Sequence, residues 1–401
     1  MKPKNPTSIF VMLLGLVALL SAVSVTTVAQ SGTWTTKPSM PGSRYAFASC
    51  VADGKLYAFG GYDGAHINTV VAYDPVTGSW SSKSPMPVQR TDAEAVEASG
   101  KIYVMGGQVG GLTLTTRVDV YDPANDSWGA PVAPMPTMRT AFGLASIDGI
   151  IYAIGGTNGG DLSTVEAYDP ISDTWETKAS MPTAHSHVGV GVINGVLYAV
   201  GSANGSLAFE AYDPATDTWS VKPSMPANRF IPGVGALGGL LYVIGGATSE
   251  TLNTVDVYDP STNSWSTGPA MPTDRYAFGV GVTGGVLYAF GGATFTGGFT
   301  TLSTVEALST EQEATPGELT SDLINLVRSF TLQRGVSNSF ESKLQKVIVA
   351  LDSPNGTAEA CDQLKAFINH ANAQSGKHLT VAQADQLVVA ASQIRTLLGC
   401  E

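Results

Sequence analysis

Charge is scarce in this chain, and basic charge most of all. Only 13% of its 401 residues are charged, and 21 Lys and Arg face 33 Asp and Glu, for a net charge of −12. Lys and Arg form no cluster, which excludes nucleic acid and anionic membrane surfaces as expected partners. Cysteine is nearly absent, at three residues, so the fold cannot be a disulfide-built scaffold. Long apolar runs are missing except for one, Ile9 to Val25; no other segment is long enough to span a bilayer. That run follows Lys2 and Lys4 and precedes Thr27-Val28-Ala29, the order of a secretory signal cleaved after Ala29. An uncleaved membrane anchor is the alternative reading. Cleavage removes two lysines and takes the charge from −12 to −14. What remains is an acidic, exported chain with the Gly-, Ser- and Thr-rich composition of a turn-rich β protein.

Catalytic signatures are missing as well. No Gly-x-Ser-x-Gly, His-Glu-x-x-His or paired-carboxylate signature occurs, and no cofactor is implied. Gly233, Gly235 and Gly238 match a dinucleotide-binding string, but the register recurs at Gly279, Gly281 and Gly284 without a following helix, so the match is a by-product of a repeat.

The repeat is what the chain does have. All six tryptophans, Trp34, Trp80, Trp128, Trp175, Trp219 and Trp265, recur every 44 to 48 residues. Each is followed six or seven residues later by Met-Pro, and four residues after that Met by Arg44, Arg90, Arg139, His185, Arg229 or Arg275. Next come a small-residue alternating run, an apolar run such as LYAFGG or LLYVIGG, a run such as TVEAYDP, and the Trp. Four short runs separated by turn chemistry read as four strands, and about 40–50 residues is the length of one propeller blade. Asp-Pro presets a tight turn, and the double Gly permits positive φ and close backbone approach.

The Gly-Gly pair, the Tyr three residues before it and the Trp after Tyr-Asp-Pro resemble the kelch repeat from Trp34 to about Leu308. Gly201-Ser202 is the one departure among the double glycines. The resemblance implies a mainly β fold, a six-bladed β-propeller. The last unit stops at residues 304–308 without a Trp, and the chain opens on Trp34 without preceding strands. The strand around Trp34 is therefore expected to complete the sixth blade beside residues 303–308, removing exposed edges.

Composition changes near Glu311. Helices are expected over 318–332, 339–352, 358–374 and 381–398, with capping-box spacing at Asn338/Glu341 and Thr380/Gln383. Cys361 and Cys400 are expected to form a disulfide, leaving Cys50 as a buried apolar residue in a core strand. Phe367-Ile368-Asn369-His370 and the two cysteines resemble the FIMAH-type helical module of bacterial secreted proteins, which implies an attachment role and no chemistry. The expected domains are a signal peptide at 1–29, the propeller at 30–308, a linker at 309–317 and a small all-α C-terminal domain at 318–401.

Strand alternation puts the Arg corners and the variable loops on one face, with the Asp-Pro turns on the other. Two readings of the corner cations stay open. In one, Arg44, Arg90, Arg139, His185, Arg229 and Arg275 ring the channel mouth and bind carboxylates of an acidic peptide or sugar, with Tyr45, Phe230 and Tyr276 as rim aromatics. In the other, each pairs with its own blade's acid, Asp119, Glu166, Glu210, Asp256 or Glu306, or with a carbonyl. His185 and His187, at i and i+2 on a strand, would project from one side; no third metal ligand has matching spacing. The expected function is recognition of a protein or glycan by a monomer outside the cytoplasm, with no nucleic-acid partner and a membrane only if the signal is retained. An enzymatic alternative comes from resemblance to the six-bladed kelch mutarotase of bacterial periplasms, with His185, His187 or inward carboxylates as acid or base. A structural spacer presenting the helical module is a third reading.

Overall fold

The computed structural model describes residues 32–201, 207–310, 316–330, 332–351, 353 and 356–400. The segment read as a secretory signal lies outside the described residues, as does Ser202.

Six four-stranded antiparallel sheets follow one another along the chain. In the first, Ala48–Ala52, Lys55–Phe59, Val70–Asp74 and Ser79–Lys83 run from the axis outward. The second strand of each blade is buried after its first residue, as expected for an apolar run covered on both sides. The sixth sheet has the order Thr33–Lys37, Val305–Ser309, Val286–Phe290, Gly279–Thr283 from the outside inward. Trp34 stands opposite Leu308 and Thr35 opposite Ala307, so the first strand closes the ring as expected.

The six tryptophans make the same contact. Each indole N–H donates to a carbonyl just beyond the outer strand of the preceding blade: Trp34 to Pro269, Trp80 to Pro38, Trp128 to Ser84, Trp175 to Ala133, Trp219 to Ala179 and Trp265 to Pro223, at 2.8–3.1 Å. Where that residue has an N–H, a carboxylate two positions before the Trp takes it. Ser84, Ala133 and Ala179 donate to Asp126, Asp173 and Asp217, and the buried Tyr121, Tyr168 and Tyr212 hydroxyls fix those same oxygens. Where it is proline, which has no N–H to offer, the carboxylate is missing: Gly32, Gly78 and Asn263 stand there instead.

A second seam lies nearer the axis. The second Gly of each described pair donates to the corner carbonyl of the next blade: Gly61 to Arg90, Gly107 to Arg139, Gly156 to His185, Gly246 to Arg275 and Gly292 to Arg44. The first Gly must be glycine. At Gly60, with φ +62°, a Cβ would stand 2.6 Å from the Arg90 carbonyl. Between the two seams six apolar clusters form, each from two neighbouring blades, as where Leu56 and Tyr73 meet Tyr288 and Phe290. Cys50 is buried in one of them, as expected.

The carboxy-terminal region is four helices: α1 (Pro316–Ser329), α2 (Arg334–Leu351), α3 (Thr357–Gln374) and α4 (Val381–Leu397), around one core that includes Phe340, Leu364, Phe367 and Leu387. Cys361 and Cys400 form the expected disulfide. Thr380 and Gln383 form the expected capping box. Asn338 and Glu341 do not: α2 begins four residues before Asn338, and the Glu341 carboxylate accepts from Ser337 Oγ and Arg328 Nε instead.

Removing the chain up to Lys37 deletes the outer strand of blade six and the Trp34 contact together. The melting temperature is expected to fall by about 10 °C or more, several kcal/mol at about 2–4 °C each; an unchanged melt would contradict closure by this strand.

Candidate functional site

The corners form first. Met40, Met86, Met135, Met181, Met225 and Met271 are buried, and the chain then turns inward through the corner cation to the first strand. Isolated bridges join the residue after the cation to the residue after the double Gly, Tyr45 to Tyr62, Thr91 to Gln108, Thr140 to Thr157, Phe230 to Ala247 and Tyr276 to Ala293. Corners and variable loops thus share one face, as strand alternation requires.

The corner cations do not reach that face. Arg44, Arg90, Arg139, His185, Arg229 and Arg275 are all at most 4% exposed. Arg139 Nη1 donates to the Gly155 and Thr164 carbonyls at 2.7 and 3.2 Å, and its Nη2 lies 2.8 Å from Glu166. Arg275 repeats this with Gly291, Thr304 and Glu306. Arg90 pairs with Asp119, which Arg117 also grips, and Arg229 pairs with Asp256. Arg44 is the exception. Val71 replaces the acid in its blade, and among the described residues the guanidinium donates to the Gly60 and Thr69 carbonyls, each at 3.1 Å. Burial pulls each guanidinium pKa down, Arg90's to about 10, against the pull of the facing acid or, for Arg44, of Asp63. The in-blade alternative is the arrangement present: these groups tie second strand to third and offer no guanidinium to a ligand.

Blade four differs. His185 is buried against Gly201, where a Cβ would stand 2.4 Å from its ring; burial lowers its pKa. Glu210 has no arginine, and burial raises its pKa although Thr183 hydrogen-bonds to it. The expectation that His185 and His187 project from one side fails, because His187 has φ +56° and the strand starts only at Gly189. His187 instead lines the axial cavity and packs on Phe230, ring centroids 4.2 Å apart. Among the described residues no group of three His, Cys, Asp or Glu could hold a metal.

That cavity is the site the corners build. Ala46, Asp92, Ala141, His187, Ile231 and Ala277, each two residues after a corner cation, all have φ between 48° and 56°. Non-glycine residues adopt this region at a cost of about 1–3 kcal/mol each; for a β-branched residue such as Ile231 it is a genuine outlier. Backbone bonds run between them around the axis: Ala46 N–H to Ala277 O, Asp92 N–H to Ala46 O and His187 N–H to Ala141 O. The six enclose a mouth of about 240 Å³, continuous through Ser49, Ala95, Val190, Val234 and Val280 with a space of about 440 Å³ towards the opposite face.

Two carboxylates line this mouth, Asp92 and Glu94, and no Lys or Arg does. Glu94 is the unexpected residue. The equivalent positions are Ala48, Gly143, Gly189, Gly233 and Gly279, and its carboxyl finds no hydrogen-bond or ion-pair partner among the described residues. It retains some exposure within the channel, yet protein surrounds it. Burial, with the Asp92 charge adding, pushes its pKa up to about 8. Asp92 is raised by burial too, with His66 and Thr91 opposing. His187 is pushed down to about 4 by burial, with Asp161 opposing, so it is neutral at pH 7. Around the mouth stand Tyr45, which meets Tyr62 and the 58%-exposed Phe299 edge-on, Tyr276 beside Phe295, and the 40%-exposed Phe230.

Two family models match the chain: the KLHDC2/KLHL20/DRC7 Kelch-repeats domain over residues 21–202 and the Kelch motif over residues 232–272. The chain is a kelch-repeat protein. A solved structure titled "Structure of YjhT" is 15% identical, with a TM-score of 0.59, covering 67% of this chain and 95% of its own; that likeness speaks for the kelch fold alone. No curated protein matches the chain.

Two outcomes follow for this kelch propeller. Arg275→Met strands Glu306 and should cost about 3–5 kcal/mol, whereas Arg44→Met, with no acid to strand, should cost about 1–3 kcal/mol. Adding Glu306→Val, the residue type blade one carries, should recover part of the first loss; equal single-variant melts would contradict the pairing. For Glu94, the folded carboxyl keeps its proton to about pH 8 while the unfolded one loses it near ~4.3. Its stabilisation is full below ~4.3 and is lost as pH rises through about 8. Glu94→Gln should therefore melt above wild type at pH 8.5 and match it at pH 4; the same difference at both pH values would contradict a desolvated carboxyl.

Proposed function

We propose that this kelch propeller is an exported, non-catalytic recognition protein that binds a protein or glycan ligand at the axial mouth on its variable-loop face. The observation that carries the reading is the mouth itself. Six backbones in a costly conformation, five of them joined by the three backbone bonds around the axis, hold an open cavity with two carboxyl groups inside and aromatic side chains around it. A cavity of about 240 Å³ accepts one anchoring group of a ligand, whose remainder would lie on Tyr45, Phe230, Tyr276 and Phe299. Aromatic side chains suit this, since they offer large contact area at little entropic cost. The ligand's charge follows from the lining: with the corner arginines buried and only two carboxyl groups and a neutral imidazole at the mouth, an acidic ligand finds no countercharge there, and a neutral or basic one is favoured. The four-helix region would serve attachment, as its resemblance to the FIMAH-type module implies.

The test is a peptide and glycan array probed with wild type and with the rim triple variant Tyr45→Ala, Phe230→Ala, Tyr276→Ala, after melts have shown the variant folded. Bound features should weaken at least tenfold, about 1.4 kcal/mol; features unaffected by the triple variant would end the reading. A sugar mutarotase is the second reading, favoured by a carboxyl with pKa raised to about 8 and a neutral imidazole lining one cavity. Anomer exchange no faster than in buffer would dismiss it.

A further inference from the structure

We infer that the anchoring group at the axial mouth is a primary ammonium, seated on the Glu94 carboxylate; this rests on the recognition reading and narrows its ligand. The first observation is positional. In five of six blades the position is Gly or Ala, and a Cβ at Gly143, Gly189 or Gly233 would already stand 2.4 Å from a valine of the next blade. Blade two places a full glutamate side chain at this crowded level, between Ala93 and Ala95, and none of the described residues pairs with it. A carboxylate without a partner in such a setting is costly, and no seam between the blades uses it. The second observation is the surrounding charge. On its own blade Asp92 stands above it, and Glu97, further down the same strand, is engaged by the Gly100 N–H. Blade one brings Ser49, blade three Gly143 and Leu144, and blades four to six Val190, Val234 and Val280; none is charged. His187 is the one other titratable group in the lining, and it is neutral at pH 7.

The third observation concerns hydrogen bonding. The first strand of every blade is the inner edge of its sheet, so one row of its backbone groups faces the channel. An ammonium has three donors and no acceptor; one carboxylate with edge carbonyls around it satisfies that set. A planar guanidinium would call for a bidentate carboxylate with room on both sides, in a cavity of about 240 Å³. The ammonium can arrive on a lysine side chain of a peptide or on an amino sugar, and the chemistry at Glu94 is the same.

Calorimetry on the whole protein tests this with acetyl-Gly-Lys-Gly-amide and glucosamine, against acetyl-Gly-Gln-Gly-amide and N-acetylglucosamine as uncharged counterparts. An ammonium must expel the Glu94 proton. Binding at pH 7 should therefore release about one proton per ligand, read from buffers of different ionisation heat, and the lysine peptide should bind about tenfold tighter at pH 9 than at pH 7. Glu94→Gln should abolish both binding and proton release, while Glu97→Gln leaves them in place. Whichever ammonium binds identifies the source. No binding of either ammonium at millimolar concentration, equal binding of charged and uncharged probes, or binding retained in Glu94→Gln overturns the inference. If array features survive Glu94→Gln but fall in the rim triple variant, the mouth binds a ligand without an ammonium anchor: the inference falls and the recognition reading stands.

Discussion

Each blade is fastened to the one before it by an indole N–H on a backbone carbonyl, and the rest of the molecule depends on that contact. A four-stranded blade cannot bury either face alone, so its core exists only between neighbours. The indole sets the outer spacing of those neighbours, and the glycine amide on the next corner carbonyl sets the inner spacing. Where the receiving residue keeps an N–H, a carboxylate takes it; where it is proline, the carboxylate is gone. The seam is therefore saturated at every junction, with no buried backbone donor left over on that residue. Because Trp34 makes the same contact as the other five, the junction that closes the ring carries the same outer bond as the rest.

A ring fixed at two radii leaves little freedom at its axis, and that is where strain collects. Six corner residues sit at positive φ because the chain must turn from the outer strand of one blade into the inner strand of the next while its carbonyl meets a glycine amide. The corner cations are consumed in holding this turn. The five arginines join the second strand to the third, and four of them, Arg90, Arg139, Arg229 and Arg275, neutralise an acid of their own blade. The mouth is left without a guanidinium in its lining, and its character falls to the few side chains that break the repeat: Asp92, Glu94, His187 and the rim aromatics.

Much of this was legible in the order of residues. The tryptophan phase gave six blades and the closing strand, because a large amphipathic side chain with one hydrogen-bond donor has few places in a propeller. The cysteines and Thr380 with Gln383 were legible for the same local reasons. Asn338 and Glu341 had capping spacing too, but the helix started a turn earlier, since spacing alone does not say which of several polar residues ends a loop. The acids facing Arg90, Arg139, Arg229 and Arg275 recur in phase with them, so both the displayed and the paired arrangement fitted the sequence; only burial separates them. His185 and His187 parted because a positive φ breaks the alternation of a strand. Glu94 was visible as the one acidic residue in a column of Gly and Ala, yet an acid in an alternating strand reads as solvent-facing. Its isolation is produced by five other blades, and no local pattern contains them.

The central claim is that closing the ring encloses at its axis a carboxyl group with no partner among the described residues, while every corner arginine is spent in the walls. Carbon-13 NMR of the glutamate side-chain carboxyls measures this directly, with no ligand required. One δ-carbon should titrate near pH 8, as burial of Glu94 demands, and should vanish from the spectrum of Glu94→Gln. If every glutamate titrates within about a unit of ~4.3, the mouth is an ordinary wet surface and the account of the site is wrong.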